Sequence, residues 1–364
     1  MKIAIIIGTR PEIIKMSPVI RECEKKKKIS SDFDYFILHT GQHYSYNMDK
    51  VFFNQLNLPE ARYNLDVESG SHAVQTAKML VGIEEILLKE MPDVILVQGD
   101  TNTVLAGALV ASKLHIKVGH VEAGLRSYDG SMPEEINRVL ADHISDFCFA
   151  PTKKAEEILI GEGIKPSNIF VTGNTIVDAV HQHMKISDEK ANIIEELGLK
   201  PNEFFLVTSH RQENVDDRTR FSGIIQGILE LKKKYDSPVI YPMHPRAKKM
   251  MQEFDLQSDE IDVIDPVDFF DFLQLEKNAK LVLTDSGGVQ EETCIIGKPC
   301  VTLRDNTERP ETVDVGANIL AGTNPEKIAE FVSIMINKKE VWKNPFGNGT
   351  SGKEIVDILE GKNT

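Results

Sequence analysis

A chain of 364 residues is too long for one ordinary core and comfortable as two domains. With 41% hydrophobic and 27% charged residues it reads as a soluble globular protein rather than a disordered one. Its 42 basic against 56 acidic side chains, −14 overall, exclude the broad basic surface that nucleic acid or an anionic membrane requires, though not a few cations around one small anion.

The first seven residues are apolar for too short a distance to be a signal segment before Arg10-Pro11-Glu12 interrupts them, and no stretch approaches membrane-span length, so a cytoplasmic location is expected. Residues 3–7 predict a buried parallel strand, followed by a turn at Gly8-Thr9-Arg10-Pro11 and a helix to about Glu24. Strands are expected at 33–39, at 93–97 with a turn at Gly99-Asp100-Thr101-Asn102 and a helix over 104–113, and at 117–121 before Glu122-Ala123-Gly124. The pattern restarts after Thr172-Gly173-Asn174, with strands at 204–208, 238–241, 280–284 and 299–303. Short runs apolar on both faces, joined through helices, predict an α/β protein with two doubly wound parallel sheets, two Rossmann-like domains facing across a cleft. The lysine runs 25–28 and 232–234 read as solvated, and residues 353–359 as a packed C-terminal helix. His181 and His183, two apart on a helix, do not share a face and read as surface histidines.

Ligands in open parallel sheets bind beyond the carboxyl ends of the strands. Those ends carry Arg10, Asp100, Glu122, His210, His244 and Ser286-Gly287-Gly288. The run from Asp285 to Glu292 follows a buried strand and opens a helix; its glycines let a ligand approach the backbone, and its free N–H groups favour a phosphate. Glu292, one turn in, is placed to accept from ribose hydroxyls. No GxGxxG follows the first strand, so NAD binding is unsupported. There is no HExxH, no Walker A and no metal-spaced cluster, and Cys23, Cys148, Cys294 and Cys300 form no CxxC pair; no cofactor and no metal are expected, and free thiols fit a reducing compartment.

Several longer motifs are more specific. Gly8-Thr9-Arg10-Pro11-Glu12 with Lys15, Gly99-Asp100-Thr101, Gly119-His120-Val121-Glu122-Ala123-Gly124-Leu125-Arg126 and Pro133-Glu134-Glu135-x-Asn137-Arg138 resemble the non-hydrolysing UDP-N-acetylglucosamine 2-epimerases. So do Thr172-Gly173-Asn174-Thr175, His210-Arg211-x-Glu213-Asn214, Thr284-Asp285-Ser286-Gly287-Gly288-x-Gln290-Glu291-Glu292 and Arg304-Asp305-x-Thr307-Glu308-Arg309-Pro310-Glu311, in the family's order over nearly the whole chain.

That resemblance implies a GT-B fold, with an N-terminal domain over 1–172, a UDP-binding domain over 173–347, and a helix over 348–364 returning to the first. It also implies a homodimer and reversible conversion of UDP-GlcNAc to UDP-ManNAc, through elimination of UDP to a 2-acetamidoglucal and its re-addition. The C2 proton has no adjacent carbonyl to acidify it, so inversion there needs oxidation or a leaving group, and the NAD fingerprint is missing. Elimination needs acid/base groups near C2 and positive charge on the departing diphosphate.

Asp100, Glu122 and Glu134 are the matching acid/base candidates. Asp100 also suits a helix cap and Glu134 a first-turn helix charge. By the same resemblance Lys15, Arg10 and His210 face the diphosphate, Ser286, Gly287 and Gly288 hold phosphate, Glu292 the ribose, Arg309 the nucleotide, and Phe272 lies near uracil. Arg126 and Arg138 are left outside the site, a structural salt-bridge role being open to both. Gln42, His43, Arg211 and His244 match the part of the family site where a second UDP-GlcNAc acts as activator, although Gln212 replaces a common arginine and 242–245 lacks a common asparagine. A GT-B glycosyltransferase, a hydrolysing epimerase releasing ManNAc and UDP, and an idle sugar-nucleotide sensor are the competing readings.

Overall fold

Residues 3–7 form most of the first strand, β1 (Lys2–Ile7), and all five are fully buried. A strand covered on both faces needs helices on each side, and the chain supplies one after nearly every strand. The structure, a computed structural model, describes residues 1–42, 46–256, 260–338 and 342–362. It divides into two compact units, Met1–Ala179 with Phe346–Thr364, and Val180–Pro345.

In the first unit β1 is followed by α1 (Arg10–Ile29), β2 (Asp34–His39), α2 (Tyr46–Gln55), β3 (Tyr63–Asn64), α3 (His72–Glu90), β4 (Val94–Gln98) and α4 (Asn102–Lys113). Then come β5 (Lys117–Val121), α5 (Pro133–Ile144), β6 (Phe147–Ala150), α6 (Lys153–Gly161), β7 (Ile169–Val171) and the start of α7 (Thr175–Lys190). All seven strands are parallel, in the order β3-β2-β1-β4-β5-β6-β7. The order reverses between β1 and β4, which makes the turns after these two strands the natural ligand position.

The second unit runs from the rest of α7 through α8 (Ile193–Glu196), β8 (Phe205–Thr208), α9 (Gln212–Val215), α10 (Arg218–Tyr235), β9 (Val239–Pro242), α11 (Pro245–Glu253) and β10 (Asp262–Ile264). It continues with α12 (Phe269–Asn278), β11 (Leu281–Thr284), α13 (Gly287–Ile296), β12 (Cys300–Thr302), α14 (Pro310–Asp314), β13 (Asn318–Leu320) and α15 (Pro325–Met335). Its six parallel strands are ordered β10-β9-β8-β11-β12-β13, so the reversal falls between β8 and β11. These two sheets are the α/β, GT-B architecture that the alternation of elements and the family resemblance led us to expect.

Three expectations change. First, α1 does not stop near Glu24 but continues to Ile29, and it carries Pro18 in its interior. The last helix, α16 (Ser351–Leu359), belongs to the first unit and lies against α1 at that point: a Cβ on Gly352 would come 2.9 Å from the Pro18 carbonyl carbon. The lost helical hydrogen bond therefore sits under a tight helix contact. Second, the lysine run at the end of α1 is only partly solvated, because Lys26 Nζ lies 2.7 Å from Asp357 of α16 and 2.8 Å from Glu360 just beyond it. Asp178 of α7 accepts from the Ser351 and Gly352 amides at 3.2 and 3.0 Å and so closes the start of α16. Third, His181 is exposed but His183 is fully buried, edge-on to Phe269 and Phe270 at 5.4 and 6.3 Å. Residues two apart on a helix face nearly opposite ways, and the two phenylalanines of α12 cover the side that His183 faces. Among the described residues no helix is long and apolar enough to cross a membrane.

Candidate active site

The turns after β4 and β5 hold two of the three candidate carboxylates. Glu122 follows β5 with φ of 72°, a left-handed conformation that a residue with a Cβ rarely adopts. The kink is held by Glu122 and Ala123, whose amides both donate to the Phe149 carbonyl at 3.1 Å. The Glu122 carboxylate is buried and met from three sides. Lys15 of α1 is 2.6 Å from Oε1, the Asn174 amide 3.4 Å from the same oxygen, and Gln98 donates to Oε2. A carboxylate out of water survives ionised only with such partners.

Asp100 follows Gly99, whose φ of 84° swings the chain out of β4. Arg138 of α5 pairs with Asp100 and lies 2.8 Å from Glu135, while Asn137 donates to the Asp100 carbonyl at 2.9 Å. Asp100 is not the cap of α4: that role belongs to Thr101, whose hydroxyl accepts from the Val104 amide at 3.4 Å. The Thr101 hydroxyl also donates to Glu12 at 2.5 Å, and Glu12 accepts from the Gly8 and Thr9 amides at 2.5 and 2.8 Å. Burial pushes the Glu12 carboxyl up, against the pull of these hydrogen bonds. Glu12 thus joins the turn after β1 to the turn after β4, where the strand order reverses.

Glu134 is exposed in the first turn of α5, and its side chain makes no hydrogen bond or ion pair among the described residues. Its neighbour Glu135 is buried, accepting from Ser127 and Tyr128 amides at 2.9 and 3.0 Å. Arg10, at the start of α1, lies over the Phe52 ring, 5.9 Å from its centroid. Gln42 is buried, and its side-chain oxygen accepts from the Thr103 amide and hydroxyl at 3.2 and 2.9 Å. His43 lies outside the described residues. Arg126 pairs with Asp142 and Glu162 at 2.7 and 2.5 Å, so both arginines left outside the site are salt-bridged, Arg138 directly to a candidate carboxylate.

In the second unit the turns after β8 and β11 meet at Asp285, which is fully buried. Its carboxylate accepts from the Ser209 hydroxyl at 2.9 Å, the His210 and Arg211 amides at 3.0 Å each and the Asn214 side chain at 3.1 Å. The His210 ring is half-exposed, its Nδ1 3.5 Å from Asp285. Burial and the charges of Arg211 and His244 hold the ring below its ordinary value, with Asp285 pulling the other way.

Ser286 precedes α13 without capping it, and a Cβ on Gly287 or Gly288 would find nothing closer than 3.8 Å. The first amides of α13 therefore border open space, the arrangement in which a helix start takes an anion. Glu292 is buried in the same helix, and Glu276 of α12 meets its carboxyl group, which together with burial drives Glu276 well above the usual range. Arg309 lies 2.7 Å from Glu291, and Arg304 holds Glu308 at about 2 against the effect of burial. Phe272 is half-buried against the Ile193 and Leu206 side of the core. His244 is exposed and caps α11, accepting from the Arg246 amide at 3.2 Å. Among the described residues no three His, Cys, Asp or Glu side chains are grouped to hold a metal ion.

Of the supporting residues, motif reading alone singled out none of Gln98, Asn174, Glu12 or Glu276 as functional. Glu12 and Asn174 lie inside quoted motifs, so their positions were visible and their partners were not.

Comparison with known proteins is consistent along the whole chain. The sequence model of a family described as UDP-N-acetylglucosamine 2-epimerase matches residues 25–360. A Methanocaldococcus jannaschii protein named UDP-N-acetylglucosamine 2-epimerase is 58% identical over 366 residues, covering 99% of each chain. A crystal structure of UDP-GlcNAc 2-epimerase from the same organism, in complex with UDP-GlcNAc and UDP, matches with a TM-score of 0.88 and 58% identity over 99% of this chain and 100% of that one. A Pseudomonas aeruginosa protein named UDP-2,3-diacetamido-2,3-dideoxy-D-glucuronate 2-epimerase is 41% identical over 362 residues, again 99% of each.

Proposed function

The chain belongs to the UDP-N-acetylglucosamine 2-epimerase family, and we propose that it interconverts UDP-GlcNAc and UDP-ManNAc without releasing the free sugar. The observation that carries the reading is Glu122, a buried carboxylate in a strained backbone position with Lys15 at 2.6 Å. Strain and desolvation of that kind persist where surrounding structure enforces them, and they concentrate at reacting sites.

In the proposed reaction a carboxylate of the N-terminal domain takes the proton from C2. The C–H electrons form the C1–C2 double bond, and the C1–oxygen bond breaks with its pair leaving on UDP. Return of a proton to the other face of C2, with attack of the UDP oxygen on C1, gives the epimer and balances every atom. Asp100, Glu122 and Glu134 supply the acid and the base. The C-terminal domain binds UDP, with the start of α13 on phosphate and Glu292 on the ribose, while Lys15, Arg10 and His210 offset the charge that develops. Each such contact contributes about 2.7–4 kcal/mol to lowering the barrier.

The deciding experiment is proton NMR of UDP-GlcNAc with the metal-stripped protein in D2O and no added NAD. UDP-ManNAc with deuterium at C2 in both epimers is expected. Free ManNAc and UDP alone would make the chain a hydrolysing epimerase, and an unchanged spectrum would favour a transferase awaiting its acceptor. Offering the diacetamido-glucuronate nucleotide in parallel tests the substrate of the 41% relative.

The reading includes a homodimer. Val74, Val81 and Leu88 repeat every seven residues along α3 and are each more than half exposed, and Ile136 and Leu140 add an apolar edge on α5. Between the two helices is a cavity of about 410 Å³ lined by His72, Ala77, Leu80 and Ile136. An apolar stripe of this kind on a soluble protein favours a partner surface. An activating second UDP-GlcNAc is also part of the proposal: conversion of pure UDP-ManNAc that starts at full rate, without a trace of UDP-GlcNAc, would remove it. Four buried free thiols suit a reducing compartment such as the cytoplasm.

A further inference from the structure

Behind Asp100 and Glu122 lies a histidine that the proposed chemistry does not use. His120, two residues before Glu122 on β5, is fully buried. Its Nδ1 is 2.6 Å from Asp142 Oδ1 of α5, and its Nε2 is 2.8 Å from the carbonyl oxygen of Gly99, the residue before Asp100. A carboxylate and a backbone carbonyl only accept. Neutral imidazole has a single N–H, so a neutral ring here would press a lone pair against an oxygen at one end, with no water to relieve it. Only the ring with both nitrogens protonated satisfies both partners.

The surrounding charges call for the same proton. The other oxygen of Asp142 takes the Arg126 guanidinium at 2.7 Å and the Gly124 amide at 3.2 Å, and Arg126 also grips Glu162 with two nitrogens at 2.8 and 2.5 Å. Asp142 and Glu162 contribute two negative charges and Arg126 one positive, which leaves the cluster short by one. Glu122, in the turn that follows the ring's strand, is already paired with Lys15. From β6, Cys148 approaches the Asp142 carbonyl at 3.6 Å, but burial pushes its thiol up to about 12 and it stays neutral. Burial opposes a charge on His120, yet the pull of Asp142, followed by the hydrogen bonds and Glu122, carries the ring above its ordinary value. Asp142 is itself held low, against burial, by His120 and Arg126.

We propose that His120 is a positioning residue, a permanently protonated strut that ties the Gly99–Asp100 turn to Asp142 of α5 and so holds the Asp100 and Glu122 carboxylates in one fixed arrangement. The charge state stands independently of the epimerase reading; only its catalytic consequence rests on it.

Neutron diffraction from crystals of the full chain grown near about pH 8 reads the ring directly, far above the ordinary histidine value of about 6.5. Deuterons on both ring nitrogens are expected, and a deuteron on one alone overturns the proposal. The consequence is read in Asp142→Asn, which removes the charge that keeps the ring protonated. With Asp142 neutral, burial favours the uncharged ring, so the ratio of variant to native kcat should be low near about pH 8 and recover at least about tenfold as pH falls toward about 5, with KM changed less than about twofold. A ratio that stays flat with pH would show a merely structural contact and overturn the positioning role. Two deuterons in a protein without epimerase activity would leave the strut standing and sink only the epimerase reading.

Discussion

The two units place their candidate residues at the same point of the same topology, beyond the strands between which the order reverses, yet they furnish those points in opposite ways. In the first, the charges near the β1, β4 and β5 ends are drawn into ion pairs, Lys15 with Glu122, Arg138 with Asp100 and Arg126 with Asp142, while the Glu134 side chain has no such partner among the described residues. In the second, the protein spends its hydrogen bonds one residue behind the surface, on Asp285, and leaves the start of α13 and the His210 ring open. The difference follows from the chemistry assigned to each. Proton transfer needs groups fixed before substrate arrives, whereas an anion needs donors with nothing yet bound to them.

The sharpest way to break this division is Glu122→Gln. General acid–base catalysis is worth about 10²–10⁴-fold, and a buried, fully partnered carboxylate belongs at the upper end, so kcat should fall by about 10⁴ while calorimetry shows UDP affinity unchanged within about twofold. Parallel loss of UDP binding would mean that the first unit also holds the nucleotide. Next in size is Lys15→Met, which strands the Glu122 carboxylate in a site where neither partner is more than 10% exposed. Breaking such a pair costs about 3 kcal/mol or more of stability, read as a lower denaturant midpoint, and adding Glu122→Gln should restore most of it. A single variant as stable as the parent would show that water reaches the pair.

How far the sequence foretold this arrangement differs between the units for the same reason. Strands 3–7 and 280–284 were legible because a run such as Ile3–Ile7 or Leu281–Leu283, apolar on both faces, has few alternatives, and the turn residues after them were legible because parallel sheets bind at those ends. Ser286-Gly287-Gly288 announced a helix start with room for phosphate, since that property is local to three residues. The partnering in the first unit is not local. Gln98, Asn174 and Lys15 converge on Glu122 from three separate elements, and Asp142 reaches His120 from 22 residues away. Nothing in the spacing of one motif shows that another will close on it. His183 illustrates the same limit, for its burial depends on Phe269 and Phe270 of a helix far along the chain.

A smaller effect sharpens the second half of the comparison. Gly288→Ala adds a methyl group that meets nothing in the protein within 3.8 Å, and in a helix alanine is preferred over glycine by up to about 1 kcal/mol. Stability should hold or rise slightly. UDP affinity should nevertheless fall about tenfold, about 1.4 kcal/mol, because the methyl group occupies the space through which a phosphate approaches the amides. Binding and stability moving in opposite directions would mark α13 as a start kept open for a ligand; falling together, they would mark it as ordinary packing.

The smallest effect concerns His210, and here the sign matters. Burial, with Arg211 and His244, holds the ring below its ordinary value in the folded protein. The unfolded chain therefore takes up the proton first as pH falls, so stability is unaffected above about pH 6.5 and declines as pH drops from there through the folded value. Native protein should accordingly lose more of its melting temperature than His210→Gln on going from about pH 7 to about pH 5. An anionic diphosphate beside the ring reverses the bias by attracting the proton back. Calorimetry of UDP-GlcNAc binding near about pH 6, in two buffers of different ionisation heat and on the Glu122→Gln background to prevent turnover, should then show uptake of a fraction of a proton that disappears with His210→Gln. UDP-GlcNAc suits this measurement because its two esterified phosphates have no weakly acidic proton of their own. Uptake would place the open side of the second unit against the diphosphate, as the comparison requires; binding without proton exchange would remove His210 from that contact and leave the start of α13 as the anion site there.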